Sequence, residues 1–418
     1  MNRNILLLYQ GQVVSQLGMQ AYLIAMMFWL TENTASSAIM SVIFALSTIP
    51  QLFAGPIAGV IADRHSKKQI IICTDVIRGT SILLLALALL SDAFSNSVVV
   101  GLFAFAGVVN SVCRAFFQPA IDAWIPELVT GEKLSKTMGF FGASTQITTI
   151  LGQALGGVLY RILGAPVLLL INSISYFFSA ISEVFIRQDK SVESDNRHGF
   201  KSTVAVYRQD LKAGFSYVAS DSGMLNILLF AAAINFFIAP IMLLLPFYVL
   251  NQLNQSAQWY GFLLAALAAG SVLGYALASN KTFSSFPRAW LMFGAMLLFA
   301  TCIQILALSS LPIISLLSFM LAGVCLGVFN LNSITLFQTL TDPAMRGRVL
   351  SLVGTLSSGL LPAGALVGGL LGSLTDNDTR LIFSLAAAGI AVLTTRLCFN
   401  FRVKLFLSRE SFSDVGAR

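Results

Sequence analysis

Charged side chains are what this sequence has least of. Lys, Arg, Asp and Glu make up 10% of 418 residues, where a water-soluble chain carries roughly 25%. Hydrophobic residues make up 56% and the mean hydropathy is +0.82. Such a chain cannot cover itself with polar surface, so lipid is the solvent it predicts. Histidine is nearly missing. His65 and His198 both fall in polar loops and assemble neither a metal-ligand cluster nor a catalytic triad. No glycine-rich phosphate loop occurs, which argues against ATP-driven work by this chain alone. The five cysteines (Cys73, Cys113, Cys302, Cys325, Cys398) lie inside apolar runs without paired spacing, and read as small buried apolar residues. The expectation is a protein that is not an enzyme and uses neither metal nor cofactor.

What is present in abundance is long apolar runs. Twelve are long enough to cross ~30 Å of hydrocarbon: 5–31, 38–62, 70–91, 97–121, 137–160, 165–186, 223–250, 258–279, 289–309, 312–338, 349–373 and 381–401. The first outruns the roughly 7–15 residues of a signal-peptide core and no small-residue cleavage site ends it, so it is expected to stay in the protein. The formal net charge is +7, but the basic residues occupy short gaps between runs and form no patch for nucleic acid. With an even number of spans, about 20 of the 25 Lys and Arg fall on the side of the termini. The other side holds Arg161 and Arg380. The positive-inside rule then predicts both termini in the cytoplasm and an inner-membrane location.

The longest polar stretch separates spans six and seven. It predicts two six-helix halves, 1–186 and 222–402, a cytoplasmic linker at 187–221 and a tail at 403–418. Within the linker, Val204, Tyr207, Leu211, Phe215 and Val218 recur at helical spacing, which predicts an amphipathic helix on the membrane surface. The halves also resemble each other. Gly142, Gly152, Gly156 and Gly157 align with Gly354, Gly364, Gly368 and Gly369 at one offset (354 − 142 = 212). "AGPIAG" at Ala54 matches "AGSVLG" at Ala269. Both pairings join spans of the same orientation, so the repeat is parallel.

The loop after span two reads "GPIAGVIADRHSKKQ" from Gly55. Here the chain resembles the major facilitator superfamily, whose loop follows G-x-x-x-D-R-x-G-R-K. Gly59, Asp63, Arg64, Lys67 and Lys68 fit, and Ser66 stands in place of Gly. The resemblance implies an all-α fold of 12 transmembrane helices and a loop that latches the two halves on the cytoplasmic side. A physical role is open to the same residues: Asp63 suits the positive end of a helix such as span eleven, and Arg64 and Lys67 need acidic partners. "FFQPAIDAWIPELVTGEKLSK" from Phe116, "DPAMRGRVLSLVGT" from Asp342, which supplies Arg346 and Arg348, and "LTENTASSA" after span one narrow the resemblance. They are similar to the branch holding macrolide-efflux proteins and enterobactin-type siderophore exporters. Gly152 to Gly157 is similar to an exporter-associated G-P-x-x-G-G pattern with Gln153 in place of Pro, and these glycines serve close helix packing equally well.

Charges within spans are costly, so each needs a reason. Asp75 and Arg78 are i,i+3 on span three and suit a mutual ion pair. Arg114 in span four resembles in location the Arg of many exporters, a coupling or gating role; Asp122 and Glu127 are its possible partners. Glu183 and Arg187 are spaced to pair at the end of span six, and Glu32 suits the outer interface. No carboxylate sits at the centre of a span, so no dedicated proton carrier is visible, although the resemblance implies protons as coupling ion. The deep polar residues are amides: Gln12, Gln16 and Gln20 on span one, Asn110, Asn235, Asn330 and Asn332. The resemblance implies that spans one, four, seven and ten line a central cavity. Amides beside Met19, Met26, Phe236 and Phe237 suit a bulky amphipathic ligand. The expectation is therefore a monomeric secondary exporter of amphipathic small molecules, drug-like or siderophore, working by alternating access as an antiporter. The alternative is a membrane receptor or scaffold on the same fold that transports nothing.

Overall fold

The computed structural model describes residues 3–91, 93–129, 132–186, 200–279 and 288–408. The described residues are almost entirely helical, and fourteen α-helices follow one another. They are α1 (Arg3–Thr34), α2 (Ser37–Leu46), α3 (Ile49–Arg64), α4 (Lys67–Leu90), α5 (Asn96–Leu128), α6 (Glu132–Val184), α7 (Phe200–Ser220), α8 (Ser222–Phe247), α9 (Gln258–Ala278), α10 (Arg288–Leu308), α11 (Pro312–Leu340), α12 (Arg346–Leu374), α13 (Thr379–Cys398) and α14 (Phe401–Leu407). A π-helical turn, Tyr248–Gln252, continues α8. Without water to bond to, every backbone group in lipid must be satisfied inside the protein, and helices do this within one segment.

Eleven of these stretches are long and apolar enough to cross a membrane. One of them, Lys136–Val184, is 49 residues long, more than twice what a crossing needs. Its break is at Gly164, where φ is +73° and Pro166 follows. That left-handed conformation suits glycine and turns the chain back, so the stretch is two spans and the crossings among the described residues number twelve. Large apolar side chains cover the outside: Phe53, Ile162, Leu374 and Phe399 are each at least 70% exposed. A water-soluble protein would bury them.

Span two departs from the single run 38–62. It is interrupted at Ser47 and Thr48 between α2 and α3. The Ser47 and Thr48 hydroxyls turn back to the carbonyls of Ile43 and Phe44 at 2.8 and 2.9 Å, and Pro50 has no N–H to offer. The amide freed by the break, Gln51 N–H, donates to Ser111 Oγ of α5 at 3.0 Å. Where chains enter helices, short polar side chains supply the missing acceptors. Asp221 Oδ1 takes the N–H groups of Gly223 and Met224, and Asp378 Oδ1 those of Arg380 and Leu381.

The chain forms two compact units. One is Met1–Val206 with the short segment Ser256–Gly261; the other is Tyr207–Gln255 with Phe262–Arg418. In the first, α1 packs along α6, α4 lies between α5 and α6, and α3 packs on α5. In the second, α8 packs on α12 and α13, and α10 on α11 and α13. The glycines of the repeat do the same work in each. A Cβ on Gly152 or Gly156 would strike Gln20 or Ile24 of α1. A Cβ on Gly364 or Gly368 would strike Phe236 or Pro240 of α8. Gly157 instead meets Ala257, whose carbonyl oxygen would lie 2.5 Å from an added Cβ, and Gly369 is buried. The second match is not equally tight. Gly270 and Gly274 touch the backbone of α11, whereas at Gly55 and Gly59 an added Cβ would meet no described atom within 4 Å.

The linker helix is α7, and in the second unit it packs on the start of α12 as well as presenting the exposed Phe215. Asp210 Oδ1 pairs with Arg348 Nε at 2.7 Å, Gly214 lies against the Arg348 backbone, and Tyr217 Oη accepts from Asp342 N–H at 3.1 Å. The side chains of Val204 and Tyr207 lie outside the described residues. The cysteines are all free, but Cys73 is exposed and Cys398 half-buried rather than fully buried as the apolar runs predict. They lie on helix faces that the packing leaves outward.

Candidate functional site

The first unit encloses a cavity of about 340 Å³ between α1, α4, α5 and α6. Helical periodicity aims the lining. On α1, Gln12, Ser15, Gln16, Met19, Gln20 and Leu23 recur every three or four residues. On α5, Asn110, Arg114, Phe117, Gln118, Ile121, Asp122 and Ile125 do the same. Arg78 of α4 and Tyr176, Met138, Phe141, Thr145 and Thr149 of α6 complete the wall. The amides are oriented by neighbours. Asn110 Nδ2 donates to its own helix at Ala106 O, 2.9 Å, and its Oδ1 accepts from Tyr176 Oη at 3.3 Å. Gln16 Nε2 donates to Thr145 Oγ1 at 3.3 Å. Carbonyl and amide ends stay available beside the apolar Met19, Phe117 and Phe141, the mixture that suits an amphipathic molecule.

Two guanidinium groups face this space. Arg78 lies over two rings, its Cζ 4.3 Å from the Phe117 ring centre and 5.1 Å from that of Tyr176. Arg114 is exposed to the cavity, and neither Asp122 nor Glu127 pairs with it. Asp122 accepts from Gln118 Nε2 at 3.0 Å and Glu127 is taken by Lys67, so the suggested structural pairs for Arg114 are not formed.

Behind the wall lies a charged cluster. Asp75 and Arg78 pair as their spacing predicts, Oδ1 to Nη2 at 3.3 Å, and both are buried. Glu183 of α6 is also fully buried. Ser179 Oγ donates to Glu183 Oε1 at 3.3 Å and also neighbours Asp75. Arg187, the expected partner of Glu183, lies outside the described residues. Sequence reasoning placed Glu183 at a span end and saw no carboxylate deep in a span. It missed that α4 and α6 bring two of them together, and the one available signal was that both residues are charged within apolar runs. Glu32, read as interfacial, accepts from Tyr160 Oη at 2.6 Å.

The loop motif is partly visible. Gly59 and Arg64 lie on α3, Arg64 exposed at its end, and the side chain of Asp63 lies outside the described residues. Ser66 caps α4, its Oγ accepting from Gln69 N–H at 3.4 Å. Lys67 Nζ finds an acidic partner in Glu127, 2.9 Å away. Lys68 Nζ donates to the Val184 and Ile186 carbonyls at 2.7 and 2.8 Å, where the last turn of α6 leaves acceptors open. In the second unit, Arg348 pairs with Asp210, and Arg346 is half-buried at the start of α12. Asn235 and Asn332 donate to the carbonyls of Ala231 and Val328 one turn back, both at 2.9 Å. Phe236 packs edge-on to Phe237, and Asn330 is exposed. These four belong to the second unit and do not line the cavity described. No group of His, Cys, Asp and Glu that could hold a metal occurs among the described residues.

Comparison with known proteins bears on this arrangement. A family model described as Major Facilitator Superfamily matches residues 8–358. Macrolide efflux protein A of Streptococcus pyogenes is 25% identical over 370 residues, 87% of this chain and 88% of that protein. The protein of the same name from Enterococcus faecalis is 24% identical over 332 residues, 78% of this chain and 99% of its own length. Among solved structures, a bacterial homologue of the iron transporter ferroportin in an inward-facing state superposes with a TM-score of 0.76 at 16% identity. It covers 98% of this chain and all of its own. The nucleoside transporter NupG gives 0.73 at 13% identity, with 98% and 100% covered. At such identities the solved structures show the fold.

Proposed function

The chain belongs to the Major Facilitator Superfamily, and from that premise we propose that it is a proton-coupled secondary exporter of amphipathic small molecules, working by alternating access. The observation that carries the substrate class is the cavity of the first unit, where five amides and two guanidinium groups stand beside Met19, Phe117 and Phe141. Small ions and sugar acids need a tight polar cage, whereas an apolar wall with spaced hydrogen-bond groups holds a large molecule with a few polar points. The relatives named macrolide efflux proteins support export and a macrolide-like cargo. The cations Arg78 and Arg114, against the single carboxylate of Asp122, favour a second cargo class: an amphipathic anion such as a catecholate siderophore. Both termini are proposed to face the cytoplasm, on the basic-residue asymmetry.

The test is transport by purified protein in proteoliposomes without nucleotide. An acid-lumen pH gradient should drive uptake of radiolabelled erythromycin or of a ferric catecholate, and a protonophore should abolish it. Binding of either compound without gradient-driven movement would instead support a receptor on the same fold. Uptake that survives the protonophore would remove the proton from the proposal.

A further inference from the structure

The two buried carboxylates behind the cavity wall have no place in the transport reading as it stands. Asp75 and Glu183 are each 0% exposed. Between them they have one salt bridge, to Arg78 at 3.3 Å, and one hydrogen bond, from Ser179 at 3.3 Å. Glu183 Oε2 and both oxygens of Asp75 accept no hydrogen bond of good geometry, although Arg78 stands beside Asp75. Gln12 of α1 is buried beside Glu183, its amide the group placed to donate to that carboxylate.

The charges around the pair can be counted from every helix packed there. Arg78 of α4 is the buried cation. Tyr176 of α6 and Cys113 of α5 are neutral groups beside Arg78. Arg114 of α5 neighbours Tyr176 and Arg78, but it is open to the cavity. Lys68 is committed to the carbonyls that end α6. Two carboxylates and one buried guanidinium leave one negative charge without compensation, in a place where an isolated carboxylate is not tolerated. One proton resolves this. It cancels the excess charge and turns an acceptor-only oxygen into a donor for its neighbour, as in other close carboxylate pairs.

We propose that Asp75 and Glu183 share a single exchangeable proton and form the proton-carrying site of this transporter. The proposal rests on the proton-coupled reading above and names its site. Exchange is possible because Arg78 and Gln12, which touch the pair, also line the cavity. A hydronium ion in cavity water gives its proton to a carboxylate oxygen and leaves as water; release runs the same step backwards. Loss of the proton gives Arg78 a second anion to answer, so the positive field it projects into the cavity falls. Proton and cargo are thereby linked through one guanidinium.

Infrared difference spectroscopy on the purified wild-type protein tests this without any cargo. A protonated-carboxyl stretch should be present at low pH, vanish as pH rises, and be lost in Glu183→Gln or Asp75→Asn. A band insensitive to pH would make the proton structural, and no band affected by either variant would place it elsewhere; each overturns the proposal. In proteoliposomes, Glu183→Gln mimics the protonated state. It should lose gradient-driven erythromycin accumulation by about tenfold or more. Full gradient-driven accumulation in both Glu183→Gln and Asp75→Asn would overturn the proposal. If wild type moves no erythromycin at all, the cargo reading fails and the spectroscopic titration alone decides the proton site. If Glu183→Gln does not fold, the Asp75→Asn protein and the wild-type spectrum carry the test.

Discussion

Replacing Gly364 by alanine should destabilise the second unit, and far more than the same change at Gly354. A Cβ there would fall on the backbone carbonyl of Phe236 in α8, with Phe236 C and Cα both 2.9 Å away. Backbone atoms in the middle of a membrane helix cannot rotate aside, so the two helices must separate. Separation undoes packing along their whole contact, and packing is what holds helices together in lipid. Forced overpacking costs about 1–3 kcal/mol, and a clash with backbone belongs at the upper end. For a unit of this size that corresponds to a fall in melting temperature of roughly 4–12 °C. Gly354 is the control. It lies on the same helix, nothing described lies within 4 Å of its added Cβ, and alanine there gains helix propensity. Cys302 and Cys325, each 2% exposed, report unfolding directly through a thiol-reactive dye. If Gly364→Ala and Gly354→Ala melt together within about 1 °C, the close approach of α8 and α12 is wrong.

Three further outcomes follow from other parts of the molecule. Lys68→Met removes the cation that answers the Val184 and Ile186 carbonyls, so the melting temperature should fall by the equivalent of about 1 kcal/mol, and an unchanged melt would show those contacts to be idle. The Asp210–Arg348 pair is 40% and 45% exposed, so a double-mutant cycle with Asp210→Asn and Arg348→Ala should give a coupling of at most about 1 kcal/mol, falling with salt. In a cysteine-free background, single cysteines at Asn96 and Asn377 should react with an impermeant reagent from outside intact cells, and one at Ser194 should not; labelling at Ser194 would refute the orientation drawn from the basic residues.

The buried carboxylate cluster and the glycine contacts differ in how far they could be read from the chain alone. The glycine repeat was legible because Gly152 and Gly156 recur as Gly364 and Gly368 at a fixed offset, and identical spacing on equivalent spans implies equivalent work. The pairing of Asp75 with Arg78 was legible because both lie on one helix at i,i+3. The meeting of Asp75 with Glu183 was not, since they are more than a hundred residues apart on α4 and α6. Nor was the partner of Lys67, because Glu127 closes a different helix.

Sequence alone determined that this chain lives in lipid, that it crosses many times as a bundle of helices and that a glycine pattern recurs at a fixed offset. Those properties depend on composition, run length and internal identity, which need no knowledge of packing. Tertiary structure decided which polar groups face one another: Arg78 against Phe117 and Tyr176, Lys67 against Glu127, Gln51 N–H against Ser111. The physical reason lies in the solvent. In water a helix advertises its buried face by an apolar stripe, but in a bilayer the outward face is apolar too. Hydropathy therefore gives a membrane helix its length and position and leaves its rotation open, and rotation is what brings Asp75 and Glu183 behind one cavity wall.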